Sequence, residues 1–214
     1  MKLICIVLIL LLAFMTSAQC QLTAEDWNYK GNAIADQGKY DEAVHAYDKA
    51  IELEPKYSDA WNNRGEAFHN WGKFDEAIRC FDKAIEINPK NAFAWNNKGT
   101  VLEEMAQYNE SISYFDKAIE LDPNLTARVL INKGYAFQYL GKYDKALQTY
   151  NTSIELDPNI PEAWNNKGSI FNLLRNYDDA IRCFDKAIEI DPNYAFARNG
   201  RDIALKALAN VASA

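Results

Sequence analysis

Histidine is nearly absent from this chain. Two occur in 214 residues, His45 and His69. They form no His-x-x-x-His pair, so a zinc hydrolase would have no ligand set. Cysteine is scarce as well, with four. Cys5 falls in an N-terminal apolar run, and Cys20 has no evident partner. Cys80 and Cys183 occupy one position of a sequence repeat, three units apart, and stacked repeats would hold them too far apart to bridge. The expectation is no disulfide framework and two thiols packed as small hydrophobes. Glycine-rich phosphate loops and Gly-x-Ser-x-Gly elbows do not occur. The acidic neighbours Glu25-Asp26 and Glu103-Glu104 read as solvated helix surface rather than catalytic pairs. These gaps point away from an enzyme and from any cofactor or metal.

Positive charge is also in deficit: 23 Lys and Arg against 30 Asp and Glu leave a net charge of −7. Nucleic acid needs a basic face, so that partner is excluded. A hydrophobic content of 49% is that of an ordinary folded protein with a sizeable core. Long apolar runs are missing after residue 15. Before it, Lys2, the run from Leu3 to Met15 and the small residues Thr16-Ser17-Ala18 make the pattern of a secretory signal over residues 1–18, cleaved after Ala18. The run is short for a membrane span, which takes about 20 apolar residues. The alternative is an uncleaved N-terminal anchor, which would be the chain's membrane contact. Either way the body is expected outside the cytoplasmic membrane, secreted or at the cell surface.

What the chain does have is repetition. Ala60-Trp61-Asn62-Asn63-Arg64-Gly65 recurs as Ala94-Trp95-Asn96-Asn97-Lys98-Gly99 and as Ala163-Trp164-Asn165-Asn166-Lys167-Gly168. Prolines keep the same beat at Pro55, Pro89, Pro123, Pro158 and Pro192, in steps of 34, 34, 35 and 34 residues. Self-similarity at such a period marks a solenoid. In the unit 58–91, Trp61, Arg64, Gly65 and Phe68 fall on one helix face. Gly72 ends that helix, and Asp75 is placed to cap the next. Ala77, Phe81, Ala84 and Ile85 form the buried stripe of the second helix, and Pro89 stops it. Gly65 and Ala77 are expected to let the paired helices approach. Thr23 with Asp26 makes a capping box for the first unit. A lone hairpin cannot cover its own apolar faces, so each stacks on the next.

On these residues the chain resembles the tetratricopeptide repeat proteins: Trp, Gly four residues later, then aromatic and small residues and Pro at fixed offsets over 34 positions. Five copies are read, at 24–57, 58–91, 92–125, 127–160 and 161–194. A capping helix follows at 195–214, with Ala204, Leu205, Leu208 and Val211 as its packing stripe. The resemblance implies an all-α fold, a right-handed superhelical solenoid of helix-turn-helix repeats whose first helices line the inside. Some positions depart from the family pattern. Lys30, Arg64, Lys98, Lys133 and Lys167 stand where the family often has Leu or Ile, and their stems should pack while the charge reaches water. Leu130 replaces Trp. Ala106 and Arg175 replace the turn glycine, which predicts less sharp turns. One extra residue sits near Thr126.

The resemblance also implies where a partner would bind. Asn63, Asn97, Asn132 and Asn166 share one first-helix position and should form a ladder along a concave groove, with Asn62, Asn96 and Asn165 beside them. A side-chain amide offers two donors and an acceptor, which suits an extended peptide backbone. The competing account is that these asparagines bond within their own turn or to the neighbouring repeat. Asp36, Glu66, Glu103 and Glu104 make one half of the groove acidic. Ile131, Tyr135, Tyr139 and Leu173 make the other half apolar and aromatic. The ligand expected is therefore basic over the first three repeats and anchored by an apolar group over the last two. The carboxylate clamp of chaperone-binding members is not expected. Asn32 and Asn63 match two of its positions, but Asn28, Phe93 and Asn97 stand where its cations belong. The function read from all this is an exported, non-enzymatic scaffold for a protein or peptide partner. The alternatives are an accessory subunit or small-ligand binder outside the cytoplasmic membrane, and weak self-association through uncovered repeat ends. Mass measurement of the intact native protein should show the loss of residues 1–18; a mass retaining them means an anchor, and recovery from the cytoplasm overturns export.

Overall fold

The computed structural model describes residues 22–212; the signal pattern, Cys5 and Cys20 lie outside them. The described residues form five helical hairpins and a final helix, without strands. The hairpins are α1 (Ala24–Ala35) with α2 (Tyr40–Leu53), α3 (Ser58–Asn70) with α4 (Phe74–Ile87), and α5 (Ala92–Glu104) with α6 (Tyr108–Leu121). They continue with α7 (Thr126–Tyr139) and α8 (Tyr143–Leu156), then α9 (Pro161–Leu173) and α10 (Tyr177–Ile190); α11 (Ala195–Ala212) closes the row.

An aromatic ring lying on a glycine joins the two helices of each hairpin. A Cβ on Gly65 would stand 2.7 Å from the Phe81 ring, and one on Gly99 2.7 Å from the Phe115 ring. Gly31 faces Tyr47, Gly134 faces Tyr150 and Gly168 faces Phe184 in the same way. The glycine's partner is thus the ring of the second helix rather than Ala77, which is buried in the same cluster. The tryptophan and the proline of the repeat are also coupled. Trp61, Trp95 and Trp164 donate their indole N–H to the carbonyls of Pro55, Pro89 and Pro158 at 3.0–3.1 Å. Leu130 has no such donor and is simply buried.

Each second helix packs on the first helix of the next hairpin, and each first helix also touches the first helix one hairpin on. Among the described residues, second helices do not touch one another. A stack in which one layer stays in contact while the other spreads is curved, with the first helices inside. The four first-helix positions from 63 to 166 therefore lie along the inner face.

Four expectations are corrected at the joints. Asp75 does not cap α4: the helix starts at Phe74 after Lys73, which makes no side-chain cap bond, and Asp75 sits in the first turn, where a carboxylate still favours the positive helix end. Ala106 and Arg175 do not loosen their turns. Both take the left-handed conformation, φ 60° and 61°, beside Gly72 at 77°. The bonds Ala106 N–H to Glu103 C=O (2.8 Å) and Gln107 N–H to Leu102 C=O (2.8 Å) repeat those at Gly72 and Lys73. Hydrogen bonding and packing hold these residues where a side chain costs roughly 1–2 kcal/mol.

Lys30 does reach water while lying over the Trp27 ring, but Arg64, Lys98 and Lys133 are held in ion pairs. Lys98 is 8% exposed, and its ammonium meets Asp82 of the preceding hairpin at 2.5 Å. Arg64 pairs with Asp48, Lys133 with Asp116 and Arg201 with Asp185 in the same way. The packing face of α11 is also turned from the expected stripe. Ala197 and Ala204 are buried and Gly200 lies on the Phe184 ring, whereas Leu205 and Val211 are exposed. The ring of the last hairpin needs a glycine against it, and Gly200 sets the rotation. The extra residue is taken up by a single 3-10 turn, Pro123–Leu125, before α7.

The capping box at Thr23 is present, with Asp26 N–H to Thr23 Oγ1 at 3.1 Å and Thr23 N–H to Asp26 Oδ2 at 2.9 Å. Ring-on-glycine packing predicts that Gly99→Leu destabilises by about 1–3 kcal/mol through overpacking, read as a lower urea midpoint. Ala106→Gly should raise the midpoint, by about 1 kcal/mol, because it relieves the left-handed turn.

Candidate functional site

The inner face is floored by asparagine side chains bonded from hairpin to hairpin. Asn63 Nδ2 donates to Asn28 Oδ1 (3.0 Å) and Asn32 Oδ1 (3.2 Å) of the preceding hairpin. Asn97 Nδ2 donates to Asn62 Oδ1 (3.2 Å), and Asn132 Nδ2 reaches Asn96 Oδ1 (3.5 Å). Within a turn, Asn62 donates to Asn63, Asn96 to Asn97 and Asn165 to Asn166 at 3.0–3.3 Å. The asparagines thus do bond to the neighbouring repeat. Each amide nevertheless has two N–H groups and two acceptor lone pairs. Asn97 uses one of each in these bonds, so one donor and one lone pair remain.

The row stops at Ile131. This residue holds the place of Asn28, Asn62 and Asn96, and it is buried with Tyr150, Ala163 and Ile170. At this joint Asn166 meets the Tyr150 hydroxyl of the preceding hairpin in place of an asparagine.

Three open depressions follow one another along the first helices. The first, about 430 Å³, is lined by Asn32, Asp36, Asn63, Glu66 and Asn70 among others. The second, about 570 Å³, shares Asn63 and Glu66 and adds Asp59, Asn62 and Phe93. The third, about 590 Å³, shares Phe93 and opens beside Ile131, with Leu125, Ile160, Arg128 and Glu162 around it. No lysine or arginine lines the first two, so Asp36, Asp59 and Glu66 set their sign. The third mixes the apolar side chains of Leu125, Ile131 and Ile160 with Asn96 and Asn132, and Arg128, Asp157 and Glu162 give it charge of both signs. Its wall comes partly from the connections before α7 and α9, so first-helix periodicity gave no sign of Leu125 or Ile160.

A separate corner forms where α5 faces α7. Tyr135 donates its hydroxyl to Tyr139 (2.9 Å), with ring centres 4.6 Å apart. Tyr108, from the start of α6, stacks on Tyr139 at 5.1 Å. Sequence reading named Tyr135 and Tyr139 but missed Tyr108, which comes across the turn at Ala106. Tyr139 is exposed, as is Leu173 farther along.

Glu103 departs from the solvated surface expected for it. Its Oε2 is buried with no hydrogen-bond donor. The place recurs as Ala35, His69, Gln138 and Asn172, all partly buried, because it lies between adjacent first helices. Burial, and then the neighbouring Glu104, push the Glu103 carboxyl up to about 8. Glu104 turns away and meets His69 Nε2 at 2.9 Å. The predicted residues therefore divide. Asn62 is buried; Asn63, Asn96, Asn97, Asn132, Asn165 and Asn166 are half-buried; Glu66, Glu104 and Tyr139 are exposed; Glu103 and Tyr135 form the corner. Among the described residues no cluster could hold a metal ion, and no helix is long and apolar enough to cross a membrane.

A curved stack of helical hairpins with a polar inner face defines a helical-repeat scaffold for protein interaction. The chain belongs to the tetratricopeptide repeat family. Models of that repeat match residues 58–91 and 161–194, 31–72, and 91–159. Among solved structures it is similar to YrrB, described as a TPR protein with an unusual peptide-binding site. The two are 26% identical over 84% of this chain and 92% of that one, with a TM-score of 0.64. PilW, described as a widely conserved type IV pilus biogenesis factor, is 24% identical over 89% and 92%, with a TM-score of 0.75. MamA from Desulfovibrio magneticus RS-1 is 20% identical over 80% and 96%, with a TM-score of 0.69. These last two share the fold. No match is found among curated proteins.

Glu103 makes stability depend on pH. Its folded pKa of about 8 exceeds the ordinary 4.5, so the folded state holds the proton more tightly than the unfolded state. The contribution is fully present below about pH 4.5 and is lost as pH rises to about 8. Glu103→Gln keeps the neutral form at all pH. Its urea midpoint should exceed that of the wild type at pH 9, and the gap should close by pH 5.

Proposed function

We propose that this chain is an exported scaffold without catalytic activity that holds an extended peptide segment of a partner protein along its inner face. The observation that carries this reading is the succession of three depressions, each lined in part by asparagine side chains. The amides bond to one another and so are held in place before a ligand arrives, which lowers the entropy lost on binding. Their remaining donors and lone pairs, as at Asn97, suit backbone groups spaced along an extended chain. The likeness to YrrB, whose structure is described by a peptide-binding site, supports the same mode. Export rests on the signal pattern of residues 1–18.

The face also gives the peptide a direction. Asp36, Asp59 and Glu66 attract basic residues to the first two depressions. Phe93, Ile131 and Ile160 in the third take an apolar side chain, and the exposed Tyr139 adds an aromatic contact beyond it. Buried apolar anchors supply residence time, whereas exposed charges mainly speed encounter. Peptides selected from a display library of extended twelve-residue sequences provide the probe. Asp36→Asn with Glu66→Gln should slow association and flatten its salt dependence. Tyr139→Ala should raise the dissociation rate about tenfold, the equivalent of roughly 1.4 kcal/mol. Asn97→Ala with Asn132→Ala should weaken binding of every selected peptide regardless of its side chains. If all three variants bind as the wild type does, the inner face is not the binding surface.

A further inference from the structure

The corner between α5 and α7 joins a carboxyl group that lacks a partner to an open aromatic face. Glu103 Oε2 is buried without a donor. Across the α5–α7 joint Asn132 Nδ2 reaches Thr100 Oγ1 at 3.5 Å, and the same register one turn on sets Tyr135 of α7 beside Glu103 of α5. Tyr135, Tyr139 and Tyr108 stand as a run of rings 4.6 and 5.1 Å apart, and Tyr139 is exposed. The groups facing Glu103 are Glu104 on its own helix, His69 of α3 through Glu104, Tyr108 of α6, Tyr135 and Tyr139 of α7, and Tyr150 of α8. Among the described residues, no lysine or arginine pairs with it.

We propose that this corner is a seat for a primary ammonium group, the side chain of a ligand lysine, held between the Glu103 carboxylate and the ring of Tyr139. The proposal rests on the peptide-binding reading only for the source of the lysine. A cation over a tyrosine face is attracted by the ring, and more so where water is partly excluded. A lysine ammonium is a point charge and needs a single oxygen. An arginine fork prefers two oxygens of one carboxylate, and the burial of Oε2 withholds the second. Glu104, half-exposed beside its His69 partner, adds negative potential at the entrance.

Seating the ammonium changes a proton. The free carboxyl holds its proton to about pH 8 because it is buried without a counter-charge. The arriving cation supplies that charge, the carboxyl loses its proton to solvent, and the ammonium keeps its own three. Binding at pH 7 is therefore accompanied by proton release, and affinity rises by up to about tenfold per pH unit until the free carboxyl has ionised near pH 8.

The test needs no peptide. The side-chain carboxyl carbon of Glu103 is followed by NMR from pH 5 to 10 in the mature chain. Titrations are run in sodium chloride, n-butylammonium chloride and n-butylguanidinium chloride at equal ionic strength. The midpoint should lie near 8 in sodium chloride. It should fall by at least half a unit, about threefold in proton affinity, in butylammonium, and by less in butylguanidinium. The ring signals of Tyr139 should move with butylammonium in the wild type but not in Glu103→Gln. Equal midpoints in the three salts, or a midpoint in the ordinary carboxylate range throughout, overturn the seat. An equal fall with butylguanidinium overturns the choice of ammonium. Should Glu103→Gln fail to fold, the comparison of salts in the wild type still decides. The groove reading is judged separately, by the asparagine variants and selected peptides.

Discussion

The contact on which the structure depends is an aromatic ring resting on a glycine. In every hairpin the ring comes from the second helix and the glycine from the first, sixteen residues earlier, as with Gly65 and Phe81. No other residue leaves room for the ring, and a smaller side chain than Phe or Tyr would leave the groove between the helices empty. The contact fixes the distance and rotation of the pair, so the remaining first-helix positions fall on known sides. One side meets the preceding hairpin, with the indole N–H bonded to the connection between the two. The other side faces inward. At the end of the row the same ring, Phe184, meets both Gly168 and Gly200, so α11 is held by the rule that built the hairpins.

Curvature follows from that geometry and creates the electrostatic problem of the inner face. First helices touch one another there, so polar groups on them are pressed together and partly removed from water. Unpaired polar groups in such places are costly. Asparagine meets the constraint because it is short, uncharged and both donor and acceptor. The same bonds that satisfy it leave spare valences toward the open side. Where Ile131 interrupts the row, apolar side chains join the asparagines and the largest of the three depressions opens. In the proposed reading, structural need and binding capacity come from one set of side chains. A substitution on this face has to be judged by stability and affinity together.

Much of the fold was legible in the sequence because the signals are local and repeated. Glycine, tryptophan and proline at a fixed period mark the joints, and small residues at one position mark the faces in contact. The errors share a cause. The turns at Ala106 and Arg175 were read from propensity, but the packing of the hairpin on either side dictates a left-handed residue whatever its side chain. Lys98 was read from its own helix, whereas its partner Asp82 belongs to the hairpin before. Asp75 was read as the cap two residues late, because α4 starts at Phe74 after Lys73 with no side-chain cap. At the candidate site, the asparagine row and Tyr139 were visible as a period. Tyr108, Leu125 and Ile160 were not, since they reach the inner face from turns and connections, and first-helix spacing does not say which residues there do so. The burial of Glu103 was hidden for another reason: two adjacent acids on a helix look alike until the neighbouring helix covers one of them.

The third hairpin carries more unfavourable features than the others. Its first helix holds Glu103 without a partner and ends in the left-handed Ala106, and the irregular turn at Pro123–Leu125 follows its second helix. In a single-core domain such costs would weigh on the whole. In a solenoid, stability is close to a sum of each unit and its contacts with neighbours, so a poor unit is supported by good ones on either side. Hairpins two and three are joined by the Lys98–Asp82 pair and the Asn97–Asn62 bond, which hold the costly unit in register. A linear stack can therefore concentrate such costs at its middle without losing the whole.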